Sequence, residues 1–305
     1  MTPKGCHPEA KPKDPMGFFA TLRMTSSMSP PLAPPPRQSS GHAYKGGGFG
    51  ENMKDVVAVV TYREPIGEHY FRLGLKVGWD TFMPGQFVMV DIPGHEVFLR
   101  RPFGIVTLEQ GVLEICFKVV GKGTAALSKV NHGDCISVLG PLGNGFTPPK
   151  DIGKGVLVAG GYGIAPLFSL ARNLINEGKD VILYYGAKKS ADLLYCSNLT
   201  SLGVVLKLAT EDGSEGYKGL VTDLLREEIV DLNGGAIFSA GPHGLLEETA
   251  RIASSAKMTA QVSLERYMAC GMGVCLGCAV KLRDQTYVRA CREGPVFDAE
   301  SILWD

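Results

Sequence analysis

Between residues 54 and 148, apolar side chains occur in short runs, several of which alternate with polar ones. Five such runs are punctuated by glycine and proline: 56–60, 69–75, 86–90, 113–117 and 135–139. A period of two is typical of half-buried strands. Short strands at this spacing predict a small antiparallel barrel over residues 54–148.

The rhythm changes from residue 154 onward. A buried-type strand at 155–159 leads through a glycine turn into apolar positions at helical spacing between Leu167 and Ile175. Pro166 suits the first turn of that helix. Further strand-like runs cover 181–185, 204–208 and 236–239, with helical spacing around 224–229. This alternation predicts a parallel α/β domain over residues 154–262. Residues 263–305 form a separate cysteine-bearing module.

Residues 1–52 have a different composition. They are rich in Pro, Gly and Ser and show no periodic apolar face, so we expect disorder there. Gly50-Glu51-Asn52-Met53 can be encoded with a purine-rich GGAG just before a start codon, which suggests Met53 as the biological start. A genuine disordered extension remains the alternative.

Composition narrows the class of protein. The chain has 305 residues, 45% of them hydrophobic, which supports two domains with real cores. The 31 basic and 31 acidic residues balance, so we expect no nucleic-acid partner. The longest uncharged stretch, 155–171, contains three glycines and a proline in its middle. It predicts a strand, a turn and a helix rather than a membrane span. With no obvious secretory signal, we expect a cytoplasmic protein.

Four of the eight cysteines lie within 22 residues near the C-terminus: Cys270, Cys275, Cys278 and Cys291. Four thiolates are what a [2Fe–2S] cluster requires. The first three follow plant-type ferredoxin spacing, whereas the fourth lies closer. A four-cysteine zinc site is the alternative, although zinc favours paired CxxC elements and only Cys275 and Cys278 form one. Disulfides are a third interpretation, but clustered cysteines in a chain of this size indicate metal or redox chemistry.

Glycines separate these cysteines. We predict that Gly271, Gly273 and Gly277 adopt positive φ. Backbone amides can then point at the sulfur atoms and stabilise the negative cluster.

Two turns follow predicted strands of the α/β domain. Residues 160–166 expose amides at a helix N-terminus, which favours a pyrophosphate. Because they do not match G-x-G-x-x-G, an ordinary strand-to-helix turn is the alternative. Residues 239–243 follow a later strand in the same way. They are predicted to line the crevice at the carboxyl ends of the strands.

Basic residues mark the predicted barrel. Arg100 and Arg101 lie beside an apolar run, and an arginine fork suits a diphosphate. The segment 121–124 offers further phosphate contacts. A solvated edge is the alternative for these arginines.

Taken together, residues 54–305 resemble the electron-transfer subunits of two-subunit, NAD-linked dihydroorotate dehydrogenases, a branch of the ferredoxin reductase superfamily. The most specific segments are 263–278, SLERYMACGMGVCLGC, and 290–297, ACREGPVF. The resemblance implies a flavin-binding barrel, a nucleotide-binding α/β domain and a C-terminal [2Fe–2S] module.

The resemblance also implies site residues. FAD is assigned to Arg101, Pro102, Phe103, Gly104, Cys116, Phe117, Lys118, Gly123 and Thr124. The nicotinamide nucleotide is assigned to Gly160, Gly161, Gly163, Gly241 and Pro242, and the cluster to Cys270, Cys275, Cys278 and Cys291. The family usually has Ser or Thr in place of Gly104, beside the redox-active ring of the flavin.

The implied function is electron transfer. A partner subunit that holds FMN oxidises dihydroorotate to orotate, in de novo pyrimidine (UMP) biosynthesis. Electrons pass from FMN through the cluster and FAD to NAD⁺, in a heterotetramer of two copies of each subunit. No residue of this chain is predicted to act as a catalytic acid, base or nucleophile.

Two rival functions stay open. One is a subunit of another ferredoxin reductase-like complex, of the sulfide dehydrogenase, hydrogenase or ferredoxin:NADP reductase type. The other is a non-enzymatic zinc or redox-sensing module. Lys188 and Lys189 suit the 2′-phosphate of NADP, whereas Glu211 and Asp212 disfavour it. The resemblance favours NAD.

Overall fold

The computed structural model describes residues 53–95, 97–232 and 235–304. The predictions made for residues 1–52 lie outside these residues. The start at Met53 and the proposed domain boundaries also stay predictions.

A closed six-stranded antiparallel barrel forms the first half of the described chain. Its strands are β1 (Lys54–Pro65), β2 (Tyr70–Lys76), β3 (Phe87–Val90), β4 (Arg101–Glu109), β5 (Val112–Lys118) and β6 (Cys135–Leu142), with helix α1 (Lys122–Leu127) between the last two. The order around the barrel is β1-β2-β5-β4-β3-β6. The predicted barrel is confirmed, and β4 is the strand that the pattern analysis did not identify.

The barrel interior follows from the alternation of side chains. Ala58 and Val60 of β1 and Leu73 and Leu75 of β2 are fully buried in one cluster. Such burial removes apolar surface from water, and closure leaves no strand edge unpaired.

A seven-stranded sheet, with helices packed against it, forms the second half. Its elements are β7 (Lys154–Gly160), α2 (Ile164–Asn176), β8 (Asp180–Ala187), α3 (Cys196–Ser201), β9 (Val205–Thr210), β10 (Tyr217–Lys218), α4 (Val221–Glu228), β11 (Gly235–Ala240), α5 (His243–Ser255) and β12 (Ala260–Ser263). The order is β10-β9-β8-β7-β11-β12, followed by the C-terminal strand β15 (Val296–Asp298), and the strands up to β12 run parallel. The predicted parallel α/β sheet is confirmed.

Helix α2 joins the two halves. Pro166 lies in its first turn, and Leu167, Leu170, Ala171 and Leu174 are buried. The helix packs against β7 and β8 of the sheet and against β4 of the barrel. The carboxyl end of β7 is therefore held beside the barrel wall.

The C-terminal segment is anchored in the same sheet. Strands β13 (Ala279–Lys281) and β14 (Tyr287–Arg289) form a hairpin, and β15 (Val296–Asp298) pairs antiparallel with β12. The Leu264 amide donates to the Pro295 carbonyl at 2.9 Å. The cysteine loop, residues 270–278, therefore lies between β12 and β13, each of which pairs with another strand. No helix in the described ranges is long and apolar enough to cross a membrane.

Candidate functional site

A cavity of about 600 Å³ opens where the barrel, the carboxyl edge of the sheet and the C-terminal module meet. We call it the central pocket. It is lined by eleven of the predicted nucleotide- and flavin-site residues: Arg101, Pro102, Phe103, Gly104, Cys116, Phe117, Lys118, Gly123, Thr124, Gly163 and Gly241. All nine residues assigned to FAD therefore share one pocket, of the size and partly apolar lining that cofactor sites have.

Positive charge lines the barrel side of the central pocket. Arg101, Lys118 and Lys122 all contribute to its wall. Arg100 lies outside it, where its guanidinium donates to Asp55 at 3.0 Å. The predicted arginine fork is thus divided, with Arg101 at the pocket and Arg100 on a solvated edge. The three pocket cations suit a diphosphate.

The part of the wall around Phe103 and Phe117 is apolar and uncharged. Phe103 and Phe117 pack with ring centroids 5.8 Å apart. Burial raises the pKa of the Cys116 thiol to about 12, so it is neutral at pH 7. Gly104 faces Pro166, since a Cβ there would lie 3.4 Å from Pro166 Cδ. These groups form an apolar surface of the kind that aromatic rings pack against.

The glycine turn and the end of β11 meet at the carboxyl edge of the sheet. A Cβ at Gly163 would lie 2.3 Å from the Ala240 carbonyl oxygen, and one at Gly160 would lie 2.8 Å from Pro242 Cδ. Tyr185 Oη donates to the Gly161 carbonyl at 2.9 Å, and this hydrogen bond stabilises the turn. The five residues predicted to bind the nicotinamide nucleotide therefore lie together. Gly163 and Gly241 also line the central pocket, whereas Gly160, Gly161 and Pro242 do not.

The residues weighed for NAD against NADP lie after β8 and β9. Lys189 Nζ pairs with Glu68 Oε2 at 3.0 Å. The Asp212 carboxylate accepts from the Ser214 hydroxyl at 2.6 Å and from the Ser214 amide at 2.9 Å, which lowers its pKa. Lys189 is thus a surface ion pair, and Asp212 carries its negative charge at neutral pH.

The predicted site residues did not include several other residues of the pocket wall, among them Tyr162, Glu265, Arg266 and Met268. Arg266 Nε is buried and has no hydrogen-bond partner among the described residues. A buried donor without a partner is costly, and a bound group with acceptor oxygens or nitrogens would satisfy it. This orphaned donor fits a flavin in the pocket. Its only sequence signal was its place just before the first cysteine.

The four clustered cysteines form two pairs. The Cys275 amide donates to Cys270 Sγ at 3.5 Å, and the Cys291 amide donates to Cys278 Sγ at 3.4 Å. Burial and Cys278 raise the pKa of Cys291 to about 12, and Cys270 adds to the effect. The two pairs are therefore close enough to interact electrostatically.

Backbone geometry around the first pair favours a thiolate. Burial opposes ionisation of Cys270, but amides of Cys275 and Met272 lower its pKa to about 6. Gly271 and Gly273 have φ of 70° and 79°, as predicted. The prediction is wrong at Gly277, because Leu276 takes the left-handed conformation instead, with φ of 59°.

The arrangement of the cysteines in two pairs distinguishes a [2Fe–2S] centre from a zinc site. Within the described residues, no three His, Cys, Asp or Glu side chains converge tightly enough to enclose one ion. A [2Fe–2S] centre takes two thiolates on each of two irons. Two neighbouring thiol pairs suit that arrangement better than one tetrahedral zinc ion.

A second cavity of about 830 Å³ lies between the barrel and helices α2 and α3. Glu114, which accepts from Tyr62 and Tyr195, is part of its wall. It contains none of the predicted site residues. The chemistry therefore concentrates at the smaller central pocket, which adjoins both the glycine turn and the segment leading to Cys270.

Family models match three consecutive parts of the chain. Residues 63–146 match an oxidoreductase FAD-binding domain and residues 157–251 an oxidoreductase NAD-binding domain. Residues 265–303 match the iron–sulfur cluster binding domain of dihydroorotate dehydrogenase B. The predicted FAD, NAD and iron–sulfur domains are confirmed, which decides against a non-enzymatic zinc module.

Solved structures agree on the fold. The structure described under "Insights into flavin-based electron bifurcation via the NADH-dependent reduced ferredoxin-NADP oxidoreductase structure" matches with a TM-score of 0.74 and 30% identity, over 82% of this chain and 90% of that one. A ferredoxin NADP⁺ reductase from Neisseria gonorrhoeae with bound FAD and NADP has a TM-score of 0.58 at 18% identity, over 67% of this chain and 92% of that one. The second likeness shows the fold alone.

Curated relatives are more similar in sequence. The electron transfer subunit of dihydroorotate dehydrogenase B (NAD⁺) from Caldanaerobacter subterraneus subsp. tengcongensis is 41% identical over 225 residues, covering 72% of this chain and 87% of the relative. The subunit of the same name from Clostridium acetobutylicum is 38% identical over 256 residues, covering 83% of this chain and all of the relative. The chain is an oxidoreductase subunit and belongs to the family of dihydroorotate dehydrogenase B electron transfer subunits.

Proposed function

We propose that this chain carries electrons from an FMN-containing dihydroorotate dehydrogenase catalytic subunit to NAD⁺ in pyrimidine biosynthesis. The observation that carries the proposal is the continuity of three sites. Residues 263–266 and Met268 line the central pocket and lead to Cys270, while Gly163 of the glycine turn and Gly241 after β11 line the same pocket. A cluster, a flavin and a nicotinamide can therefore meet in one place.

Each group has residues suited to hold it. Cys270, Cys275, Cys278 and Cys291 would ligate the [2Fe–2S] cluster. Arg101, Lys118 and Lys122 would bind the diphosphate of FAD, and Arg266 Nε would donate to an acceptor of the cofactor. A flavin exchanges electrons singly or in pairs, which links a one-electron cluster to a two-electron nicotinamide. The protein contributes position, charge and exclusion of water.

The surface around the cysteine loop supports a partner there. Tyr267 is 97% exposed, and Val274, Leu276 and Tyr287 are also large exposed apolar side chains. We call these four residues the cluster face. Exposed apolar side chains are typical of protein interfaces, and all four lie within residues 267–287 of the cysteine-bearing segment. Because they flank the cysteines, the cluster face is suited to the catalytic subunit, in a cytoplasmic heterotetramer of two copies of each subunit.

NAD is the proposed nucleotide. Glu211 and Asp212 follow β9 at the carboxyl edge of the sheet, and Asp212 remains ionised at neutral pH. A negative charge there repels the 2′-phosphate of NADP. Lys189, the competing cation, is engaged by Glu68.

The proposal is tested by removing one thiol. Cys275→Ser should lose the cluster absorbance and dihydroorotate-dependent NAD⁺ reduction by the reconstituted complex, because the link between the two flavins is broken. Anaerobic reduction of bound FAD by NADH should largely survive. Cys196→Ser on α3 is the matched control, since Cys196 is a free thiol outside the central pocket and the cysteine loop. Undiminished coupled turnover in Cys275→Ser would refute the proposed electron path.

A second candidate function is an NADH-dependent, ferredoxin-coupled reductase. It is favoured by the 30% identity and TM-score of 0.74 to the structure of that title. Assaying the purified complex with dihydroorotate and with reduced ferredoxin separates the two. Activity with dihydroorotate is expected, and activity with ferredoxin alone would favour the second candidate.

A further inference from the structure

The proposed electron path has a proton requirement. Reduction of NAD⁺ to NADH consumes two electrons and one proton. An iron–sulfur cluster supplies electrons alone, so the proton must reach the flavin from solvent through the protein. The inference below rests on the proposed function and concerns the side chain that delivers this proton.

Glu265 is the carboxylic acid of the central pocket. It lines the wall together with Gly104 and Gly163, and the residue is exposed to solvent. Tyr162, in the glycine turn, donates from Oη to Glu265 Oε2 at 3.3 Å. A proton donor needs access both to the acceptor and to bulk water, and Glu265 is placed for both.

The other ionisable groups of the pocket are poorly suited to this role. Arg101, Lys118, Lys122 and Arg266 are basic side chains, suited to bind the anionic part of a cofactor rather than to act as its carboxylic acid. The Cys116 thiol is neutral, with a pKa of about 12. Burial raises the pKa of Tyr162 to about 12, so it remains a hydrogen-bond donor. Gly104 and Gly163 contribute no side-chain group at all.

We propose that Glu265 is the proton donor to the flavin during one-electron reduction, held in position by the hydroxyl of Tyr162. In each cycle two electrons arrive from the cluster, the O–H bond of Glu265 breaks, and an N–H bond forms on the flavin. The same hydrogen then leaves with an electron pair to NAD⁺, which yields NADH and oxidised flavin. Solvent reprotonates the Glu265 carboxylate, so electrons, protons and charge balance.

The electrostatics of the pocket are compatible with this role. Partial desolvation by the surrounding pocket wall raises the pKa of Glu265, and the hydrogen bond from Tyr162 offsets part of that effect. A carboxyl with a raised pKa holds its proton to higher pH than an exposed glutamate, and is a better donor near neutrality. One-electron reduction of the flavin should therefore slow as pH rises through that pKa.

Two half-reactions of the full-length, cofactor-loaded chain separate proton delivery by the protein from cofactor binding and electron transfer. NADH reduces FAD by delivering the hydrogen itself, so that reaction needs no proton from the protein. Reduced methyl viologen delivers single electrons and does need one. Both are followed anaerobically by rapid mixing, through the flavin absorbance.

Glu265→Gln keeps the shape of the side chain and removes the transferable carboxyl proton. Its viologen-driven flavin reduction should fall by ~100-fold or more, the usual worth of a positioned proton donor. NADH-driven reduction should change by less than about threefold, since no proton transfer is lost. Glu265→Asp should recover much of the rate, and acetate should partly restore it in Glu265→Ala. Glu177→Gln, at an exposed carboxyl after α2, is the matched control and should behave as the wild type.

Infrared spectroscopy supplies a readout that needs no turnover. The oxidised wild-type protein should show a protonated carboxyl band that disappears with rising pH, and Glu265→Gln should lack it. Tyr162→Phe should shift that band and leave FAD bound.

Each contrary outcome is informative. Equal viologen-driven rates in wild type and Glu265→Gln would show that the proton arrives by another path. Loss of FAD from Glu265→Gln would show that the carboxyl holds the cofactor, and the proposal would again be wrong. If NADH fails to reduce the wild-type flavin, the proposed function itself fails, and this inference fails with it.

Discussion

Gly163 is the position where the glycine turn has least room. It precedes α2 with φ of −59°, a conformation open to any residue. The need for glycine is therefore steric. A Cβ at Gly163 would lie 2.3 Å from the Ala240 carbonyl oxygen and 2.8 Å from Gly241 Cα. Both obstacles are backbone atoms of the neighbouring strand and cannot rotate away.

The cost of Gly163→Ala follows from this distance. Ordinary contact begins at 3.4 Å, so the turn and the end of β11 must separate by about 1 Å. Overpacking of this kind costs about 1–3 kcal/mol, and a backbone obstacle belongs at the upper end of that range. Restricting the unfolded chain returns about 0.4–1 kcal/mol. We expect a net loss of about 2 kcal/mol, which lowers the melting temperature by roughly 4–8 °C.

Thermal and urea unfolding of the cofactor-loaded protein measure this loss, and NADH titration measures its consequence for binding. Gly163 and Gly241 both line the central pocket, so the affinity for NADH should fall as well. Gly153→Ala is the control, since a Cβ there meets nothing within 4 Å and φ is not positive. It should be neutral or slightly stabilising.

Gly161 separates conformation from crowding. Its φ is 54°, and a Cβ there meets nothing within 4 Å. Gly161→Ala should cost about 1–2 kcal/mol through backbone strain alone. If Gly163→Ala proved as stable as Gly153→Ala, the close approach of the turn to β11 would be refuted.

Two further substitutions test the pocket and the cluster face. Gly104→Ser should fold with an unfolding free energy within about 0.5 kcal/mol of wild type, since its Cβ would meet Pro166 at 3.4 Å. The variant should retain FAD but shift the flavin midpoint potential in spectroelectrochemistry. An unchanged potential would show that residue 104 does not reach the flavin. Tyr267→Ser, at a side chain that is 97% exposed, should leave the melting temperature and FAD content unchanged yet weaken binding of the catalytic subunit by ~10-fold or more in surface plasmon resonance, as truncation of an interfacial aromatic does. Unchanged affinity would place the partner elsewhere.

Much of the architecture was readable from local patterns. Alternating runs such as 69–75 identified barrel strands, and helical spacing from Leu167 to Ile175 identified α2. The spacing of Cys270, Cys275 and Cys278 indicated a metal centre. Each of these signals depends on which face of a single element is buried or on a few neighbouring residues, so the chain carries it within a short window.

Other features required the assembled fold. Arg100 and Arg101 are adjacent and identical in chemistry, yet Arg101 lines the central pocket and Arg100 pairs with Asp55. Alternation along an extended strand sends neighbouring side chains to opposite sides, but the register of β4 determines which of the two faces the central pocket.

The contact between Tyr162 and Glu265 joins residues that are 103 positions apart. It exists because β7, β11 and β12 are neighbours in the sheet. That strand order is set by the packing of the whole chain, and no short segment encodes it. The sequence by itself determined most of the barrel strands, helix α2, the cysteine spacing and the class of chemistry. The tertiary structure alone decided which side chains share the pocket, because bringing distant segments together depends on the summed burial of the core.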